Sequence, residues 1–305
     1  MNINATIVES YLKSLHGRYL EAFEKADGRT FQRDTWEHRE GGGGLTCVLE
    51  NGRLFERACV SFSHVRGRRL PMAANFMSTE ASDRPFQMMG TSCILHPENP
   101  YVPTVHMNVR FLLAPRDGAE PVWWFGGGMD LTPYYGFEDD VIHFHRSCRD
   151  AVAPYGAHLY PRFKKDCDDY FFNRYRREPR GIGGIFFDNL TEDGFEHCFD
   201  ILQSVGDHFL DAYLPIVERR RRTPYGIRER DFQAFRRGRY VEFNLTHDRG
   251  TRFGLELGGR VESIMASMPP IVKWVYNWTP EAGSPEERLM THFLAAKDWL
   301  CTIPV

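Results

Sequence analysis

The feature that most constrains the fold of this chain is an alternating run of residues at 104–111. Apolar and polar side chains take turns there: Val105, His106, Met107, Asn108, Val109, Arg110, Phe111. A period of two predicts a β-strand, because successive side chains of a strand point to opposite faces of the sheet. An imidazole beside a guanidinium on one face favours a site for a carboxylate ligand. An amphipathic strand with a solvated polar face explains the same pattern equally well.

Composition describes an ordinary globular protein. The chain has 305 residues, of which 42% are hydrophobic and 26% charged, and its net charge of −3 argues against a general nucleic-acid binder. Seven scattered cysteines form no C-x-x-C pair, so we expect neither a zinc ribbon nor a thioredoxin-like motif. We find no signal peptide and no apolar run long enough to span a membrane. These features predict a cytoplasmic protein.

The remaining pattern alternates between hairpins and helices. Helices are predicted at 4–25, 138–153, 161–177, from Thr191 to the arginines at 219–222, and from Ser284 through Leu300. Strands are predicted at 46–49, 54–65, 89–95, 104–113, 122–125, 181–188, 239–245 and 253–257, the first two joined by an Asn51-Gly52 turn. Residues 66–85 are expected to be a surface excursion, and 115–118 a turn. The pattern predicts an α+β fold, a single domain over 1–305 with a large, mainly antiparallel sheet flanked by helices.

Three turns that carry glycine, acid or arginine follow predicted strands, at 126–135, 248–249 and 258–260. If these strands share a sheet, the turns converge on one pocket. Its carboxylates, Asp130 and Asp248, are candidate general bases, and its arginines, Arg110, Arg249 and Arg260, are candidate carboxylate forks. Taken singly, each of these groups is more often part of a structural salt bridge. The glycine run at 41–44 lacks the lysine of a P-loop, and a plain loop explains it.

Histidines are the second lead to a site. His96, His106 and His145 lie in or near the proposed pocket, but the chain has no H-E-x-x-H motif. His145 falls on the apolar side of its predicted helix. A hydrogen-bonded core histidine is at least as good an interpretation there as a metal ligand.

With these residues in view, the chain resembles oxygen-dependent coproporphyrinogen III oxidase from about residue 40 to the C-terminus. The segments that carry the resemblance are 41–44, 62–65, 96–110, 125–135, 180–188 and 240–270. The resemblance implies a homodimer with residues 240–275 at the interface, and a large antiparallel sheet with helices on both faces. It implies oxidative decarboxylation of two propionates of coproporphyrinogen III to vinyl groups, which gives protoporphyrinogen IX. O2 is the co-substrate, and no flavin or nicotinamide is implied.

The resemblance also implies roles for individual residues. The proton donor matches His106, Asp130 would hold the pyrrole N–H groups, and Asp248 and Arg249 would lie beside the reacting propionate. The remaining implied substrate contacts are Ser92, Asn108, Val109, Arg110, Gly258, Gly259 and Arg260. In bacterial members of that family, four histidines are assigned as ligands of a divalent metal. The matching residues here are His96, His106, His145 and Tyr175.

Several positions depart from the family pattern. Tyr175 replaces the fourth metal histidine, and a neutral phenol is a poor substitute for imidazole. His247 stands where a large aromatic residue is usual, Cys59 where glycine is usual, and Asn189 where an acid is usual. Three hypotheses therefore stay open: an active oxidase, a catalytically silent tetrapyrrole-binding protein, and a metal-dependent oxygenase.

Overall fold

The computed structural model describes residues 3–69, 84–115, 118, 120–256 and 258–301, and a large antiparallel sheet forms its centre. Its strands are β1 Gln32–Glu37, β2 Gly42–Glu50, β3 Phe55–Gly67, β4 Phe86–Pro97, β5 Thr104–Ala114, β6 Val122–Thr132 and β9 Gly183–Leu190. Their order is β1-β2-β3-β4-β5-β6-β9, and every neighbouring pair is antiparallel. The short strands β7 Phe172–Asn173 and β8 Glu178–Pro179 form a separate hairpin.

Helices cover both faces of this sheet. They are α1 Ala5–Asp27, α2 Glu138–Val152, α3 Leu159–Tyr170, α4 Phe195–Arg220, α5 Ile227–Thr246, α6 Arg249–Glu256, α7 Val261–Met265 and α8 Pro285–Arg288. A 3-10 turn, Ala153–Tyr155, follows α2, and a π turn, Leu289–Phe293, follows α8. The predicted α+β class with a mainly antiparallel sheet is confirmed.

One face of the sheet packs against α1 and α4 and forms the main core. The apolar members of the alternating run, from Val105 to Phe111, are fully buried there with Leu12, Tyr19 and Leu202. Two side-chain hydrogen bonds join α1 to the sheet and to α4. The Thr91 hydroxyl donates to the Leu12 carbonyl over 2.8 Å, and the Tyr19 hydroxyl donates to the Gly206 carbonyl over 2.6 Å. The period of two therefore assigns the polar members of the run to the opposite face.

The predicted strands at 239–245 and 253–257 are wrong, because these residues belong to α5 and α6, apart from Leu257, which lies outside the described residues. Over the longer window, Phe232, Phe235, Tyr240 and Phe243 recur at helical spacing and are buried. The alternation at 239–245 covers too few residues to distinguish a strand from this longer helical pattern. Asp248 accepts a hydrogen bond from the Thr251 N–H over 2.7 Å, as an N-cap does, and so starts α6 where a turn was expected.

Strand β1 and the β7–β8 hairpin were not predicted, and further differences concern the ends of elements. β6 continues through the glycines at 126–128, where a turn was predicted. The helix predicted to reach residue 177 ends at Tyr170, because the Asn173 side chain accepts from the N–H groups of Tyr175 and Arg176 and forms a turn. The long helix has its N-cap at Gly194, three residues after the predicted cap at Thr191, and the C-terminal helix ends well before Leu300.

Several predicted elements are confirmed, and two predicted segments lie partly outside the described residues. The hairpin at Asn51-Gly52 and the helix α1 are confirmed, and Ser284 caps α8 by accepting from the Glu287 N–H over 3.1 Å. Most of the predicted excursion at 66–85 and part of the turn at 115–118 lie outside the described residues.

Close contact between β6 and β9 requires a glycine at position 184. Its φ is +157°, and a Cβ atom there would collide with the Met129 carbonyl oxygen of the neighbouring strand. A side chain cannot be accommodated unless the two strands separate. Pairing of these strands supports the alignment of Asp130, which lies opposite Gly184.

We therefore expect Gly184→Ala to lower the free energy of unfolding by about 2–4 kcal/mol, from backbone strain and the clash with the carbonyl. Urea unfolding followed by circular dichroism measures this change. Gly17→Ala is the matched control. Gly17 is an exposed residue of α1 with nothing near its missing Cβ, so the substitution should be neutral or stabilise by up to about 1 kcal/mol. Equal stability of both variants would contradict this account of β6–β9 pairing.

Candidate active site

A cavity of about 340 Å³ lies on the polar face of the sheet, between strands β1–β6 and β9 on one side and the helices α6 and α7 on the other. Its aromatic and apolar walls include Trp36, Phe62, Trp124, Tyr170, Phe171, Phe186 and Phe253. Its ionisable lining residues are His38, Cys59, His106, Arg110, Asp188, Asp248, Arg249 and Arg260, apart from the tyrosine already named. A largely apolar cleft with a few charged groups is the usual form of a small-molecule site.

His106 belongs to a hydrogen-bonded chain of three groups, of which the other two, Asp130 and Arg180, are buried. Its Nδ1 lies 2.8 Å from Oδ1 of Asp130, which faces it across the β5–β6 pair, and Arg180 Nη2 lies 2.8 Å from both Asp130 oxygens. Asp130 is 2% exposed. Burial alone would raise the pKa of Asp130, but the Arg180 charge and the His106 hydrogen bond together lower it. An ionised Asp130 accepts the Nδ1 proton, which leaves Nε2 of His106 to meet a ligand.

The Arg180 guanidinium contacts groups from several other elements, although its Nε has no hydrogen-bond partner among the described residues. Its guanidinium lies 3.9 Å from the Phe171 ring centroid and 4.8 Å from that of Tyr240. Its Nη1 donates to the Asn244 side-chain oxygen of α5 over 2.9 Å. Desolvation alone would lower the pKa of Arg180, but Asp130 and the other nearby groups raise it further above its ordinary value. The cation therefore stays charged in a buried position and connects α5 to the sheet.

Asp248 lies between α5 and α6 and has both oxygens occupied. Oδ1 accepts from the Tyr170 hydroxyl over 2.8 Å, and Oδ2 accepts from the Thr251 N–H and hydroxyl over 2.7 and 2.8 Å. Burial alone would raise its pKa, but these hydrogen bonds lower it. Asp248 thus fixes the start of α6, and with it Arg249, whose N–H donates to the Tyr170 oxygen over 3.0 Å.

The cavity arginines pair with carboxylates of the protein. Asp188 lies 3.0 Å from Arg110 Nη2 and 3.3 Å from Arg249 Nη2, and Arg260 forms an ion pair with Asp34 of β1. Gly126 makes room for one of these pairs, because a Cβ there would lie 2.8 Å from Asp188 Oδ1 and 2.9 Å from Arg110 Nε. These arrangements place guanidinium groups along the cavity with their charge partly balanced.

Most residues predicted from the sequence line this one cavity: Ser92, His106, Asn108, Arg110, Asp248, Arg249, Gly259 and Arg260. Val109 is fully buried on the core face, so only its backbone is available to a ligand there. Gly258 lies in an exposed turn beside the lining residues, and Asp130 lies behind His106 instead of on the cavity surface. The three predicted turns thus converge, although the first is a strand.

The predicted metal set does not fit a metal. His96 has Nδ1 3.2 Å from the Thr104 hydroxyl and Nε2 2.9 Å from the Ser267 carbonyl. His145 has Nε2 3.0 Å from the Ile182 carbonyl and Nδ1 3.1 Å from the Tyr160 hydroxyl. Both rings therefore spend both nitrogens on protein partners, and Tyr175 is 81% exposed. Across the described ranges, no three His, Cys, Asp or Glu residues form a group that could hold a metal ion.

The departures from the family pattern each find a place. Tyr175 and His247 contact each other, with ring centroids 4.8 Å apart. Cys59 lines the cavity with its sulfur 3.3 Å from the Ser61 hydroxyl. Asn189 has φ +59°, in the left-handed region that asparagine tolerates, next to the irregular register between β6 and β9.

Arg180 and Asp188 were not among the residues predicted for the site. Both fall within the family segment at 180–188, but their partners are far away in sequence. Arg180 meets Asp130 and Asn244, and Asp188 meets Arg110 and Arg249. Only the alternation around a buried strand hinted that an acid at 188 would reach the polar face.

We expect Arg180→Met, which keeps much of the volume, to lower the free energy of unfolding at pH 7 by about 3–5 kcal/mol, because Asp130 stays buried without its cation. Wild-type Asp130 has a lowered pKa, so its contribution is present above about pH 4 and is lost as the pH falls further. In the variant its pKa should rise, so stability should decline as the pH increases from about 4.

Chemical unfolding at several pH values measures this reversal. Arg162→Met, which breaks a half-exposed pair with Glu192, should cost less than about 1 kcal/mol. A variant at Arg180 with wild-type stability and the wild-type pH profile would show that the buried pair does not hold Asp130 ionised.

Comparison with known protein families agrees with this geometry. The family model described as coproporphyrinogen III oxidase matches residues 7–299. Enzymes of this family are oxidoreductases of haem biosynthesis that decarboxylate coproporphyrinogen III oxidatively, with O2 and without a prosthetic group. No helix in the described ranges is long and apolar enough to cross a membrane. Because the match spans nearly the whole chain, this protein belongs to the coproporphyrinogen III oxidase family.

Proposed function

We propose that the cavity on the polar face of the sheet is where this enzyme binds coproporphyrinogen III and converts two of its propionates to vinyl groups. One observation carries the proposal. The cavity combines three arginines for carboxylates, aromatic walls for a tetrapyrrole, and a histidine held by a buried carboxylate. Such a combination suits a large apolar ring with anionic arms.

Substrate binding is assigned to the arginines and their neighbours. Arg110 and Arg249 lie at one end of the set, joined by Asp188, and Arg260 belongs to the segment before α7. Asn108 lies on the same strand face as Arg110 and accepts from it over 2.7 Å, which fixes the guanidinium. Ser92 faces Asn108 on the neighbouring strand and adds a hydroxyl. Charge-assisted pairs of this kind orient a ligand as well as hold it.

Proton transfer is assigned to His106. Asp130 holds the Nδ1 proton, so the neutral ring presents Nε2 as an acceptor for a pyrrole N–H and the protonated ring can return that proton. Asp130 and Arg180 are positioning residues in this scheme, because both are buried beneath the ring. This assignment replaces the direct contact between Asp130 and the pyrrole nitrogens that the resemblance implies.

The chemistry of each step balances without a redox cofactor. The bond between the carboxyl carbon and the neighbouring CH2 group of the propionate breaks, and CO2 leaves. The other CH2 group, next to the pyrrole, loses a proton, so that two electrons are left over from the conversion to a vinyl group. The two electrons pass through the electron-rich macrocycle to O2, which takes up two protons and becomes hydrogen peroxide. Deprotonation of the pyrrole by His106 makes the macrocycle a better electron donor. Arg249, fixed by the Asp248 cap, holds the propionate that reacts.

The oligomeric state and location belong to the same proposal. We assign a homodimer that buries residues 240–275, since the described part of this segment exposes the large apolar side chains of Leu245, Leu255, Val261, Ile271, Trp274 and Val275. A monomer mass in sedimentation equilibrium at micromolar concentration would contradict it. The seven cysteines are all free, which suits the reducing cytoplasm.

The activity is tested by incubating purified enzyme with coproporphyrinogen III and O2, with and without chelator. We expect vinyl products, CO2 and hydrogen peroxide in equal amounts, and no change after chelation, because His96 and His145 spend their ring nitrogens on protein partners. Tight porphyrin binding without turnover would instead indicate a silent binding protein. Activity lost to chelator and restored by one equivalent of metal would favour a metal-dependent oxygenase.

The two kinds of residue should separate in kinetics. His106→Ala should lower kcat by about 100-fold or more while porphyrin affinity changes little, because a proton-transfer group acts on the transition state. Arg260→Ala should weaken binding several-fold, by about 1 kcal/mol for a partly exposed charge pair, with kcat nearly kept. Steady-state kinetics and porphyrin fluorescence titration measure both. Unchanged turnover in His106→Ala would remove the proton-transfer assignment.

A further inference from the structure

Asp188 of β9 lines the cavity, and the mechanism proposed above gives it no role in the reaction. Its two oxygens contact two different arginines, Arg110 over 3.0 Å and Arg249 over 3.3 Å, and its side chain is 11% exposed. It lines the same cavity as both arginines. A single carboxylate therefore serves as a shared counterion for two guanidinium groups at one end of the site.

The surroundings make this charge arrangement strong. The Arg110 guanidinium lies 5.7 Å from the ring centroids of Trp124 and Phe186, and that of Arg249 lies 4.6 Å from the Tyr170 ring. Aromatic rings exclude water, so charges interact here more strongly than on an exposed surface. The bare backbone of Gly126 allows Asp188 and Arg110 to approach each other, and a larger residue would collide with both.

A ligand carboxylate that reaches Arg110 and Arg249 must share them with Asp188. The pair of guanidiniums then faces two carboxylates, which repel each other at short range. The ligand is held less tightly than it would be by the same arginines without an acid beside them. If that carboxylate is lost as neutral CO2, the repulsion disappears and Asp188 keeps both guanidiniums.

We propose that Asp188 is a catalytic counterion that weakens the binding of the reacting propionate in the ground state and thereby favours its decarboxylation. The inference rests on the proposed function, because it takes the reacting propionate to lie at Arg249. Asp188 exchanges no atom and no electron in the step. The bond to the carboxyl carbon breaks, CO2 leaves uncharged, and the two electrons go through the macrocycle to O2 as before. Interactions that raise the ground state relative to the transition state increase kcat.

Asp188→Asn tests this role because it removes the charge and keeps the shape. With the counterion gone, two guanidiniums hold the propionate carboxylate without competition. We expect the Kd for coproporphyrin III, the oxidised macrocycle that cannot react, to fall about tenfold and kcat to fall by about the same factor or more. KM should fall together with Kd. A residue that only positions the arginines would instead raise both Kd and KM when it is replaced.

The controls separate charge, folding and function. Asp169→Asn on α3 removes an exposed carboxylate that pairs with Lys165 and should leave Kd and kcat unchanged. Asp188→Ala should lower Kd and kcat as Asp188→Asn does. It replaces Asp188→Asn if circular dichroism shows that the Asn variant is not folded. A higher Kd or an unchanged kcat in an Asp188 variant, beside an active wild type, overturns this inference alone. A wild type without turnover overturns the proposed function as well.

Discussion

The ion pair between Arg180 and Asp130 is the interaction on which the active site depends. Both side chains are 2% exposed, so removing either one would leave an unpaired buried charge and strongly destabilise the folded protein. The pair links three parts of the chain that are far apart in sequence. Asp130 comes from β6, Arg180 from the loop before β9, and Asn244 of α5 binds the same guanidinium. Because His106 hydrogen-bonds to Asp130, the orientation of His106, the residue proposed for proton transfer, follows from this buried charge.

The cavity lies on the sheet face that α1 and α4 do not cover, where polar and charged side chains alternate with aromatic ones. Glycines of β6 lower the floor beside Asn108 and Arg110, and the segment from Asp248 to Ser267 forms the roof. Charges on this floor are arranged so that each cavity arginine already has a carboxylate partner. An empty site is thereby kept stable, and an anionic substrate gains only the difference between its own contacts and those it displaces.

Local sequence patterns were sufficient for every strand of the large sheet except β1, and for much of the site. The run at 104–111 identified the strand, its buried face and three cavity residues, and the turns after predicted strands identified Asp248, Arg249 and Arg260. Patterns failed where a short segment was compatible with two periods. Residues 239–245 alternate as a strand would, but they belong to a longer helical pattern. They also failed where a role depends on distant partners. The burial of Asp130 beneath His106, and the contacts of Arg180 and Asp188, follow only from the register of β5, β6 and β9.

The most direct measurement of the central claim is a crystal structure of the enzyme with coproporphyrin III. We predict a macrocycle bound on the polar face of the sheet, with His106 Nε2 directed at the pyrrole nitrogens and a propionate hydrogen-bonded to Arg249 and Arg110 beside Asp188. We also predict Asp130 still covered by His106 and bonded to Arg180. A macrocycle bound elsewhere, or one that contacts Asp130 directly after the Arg180 pair has opened, would contradict the account.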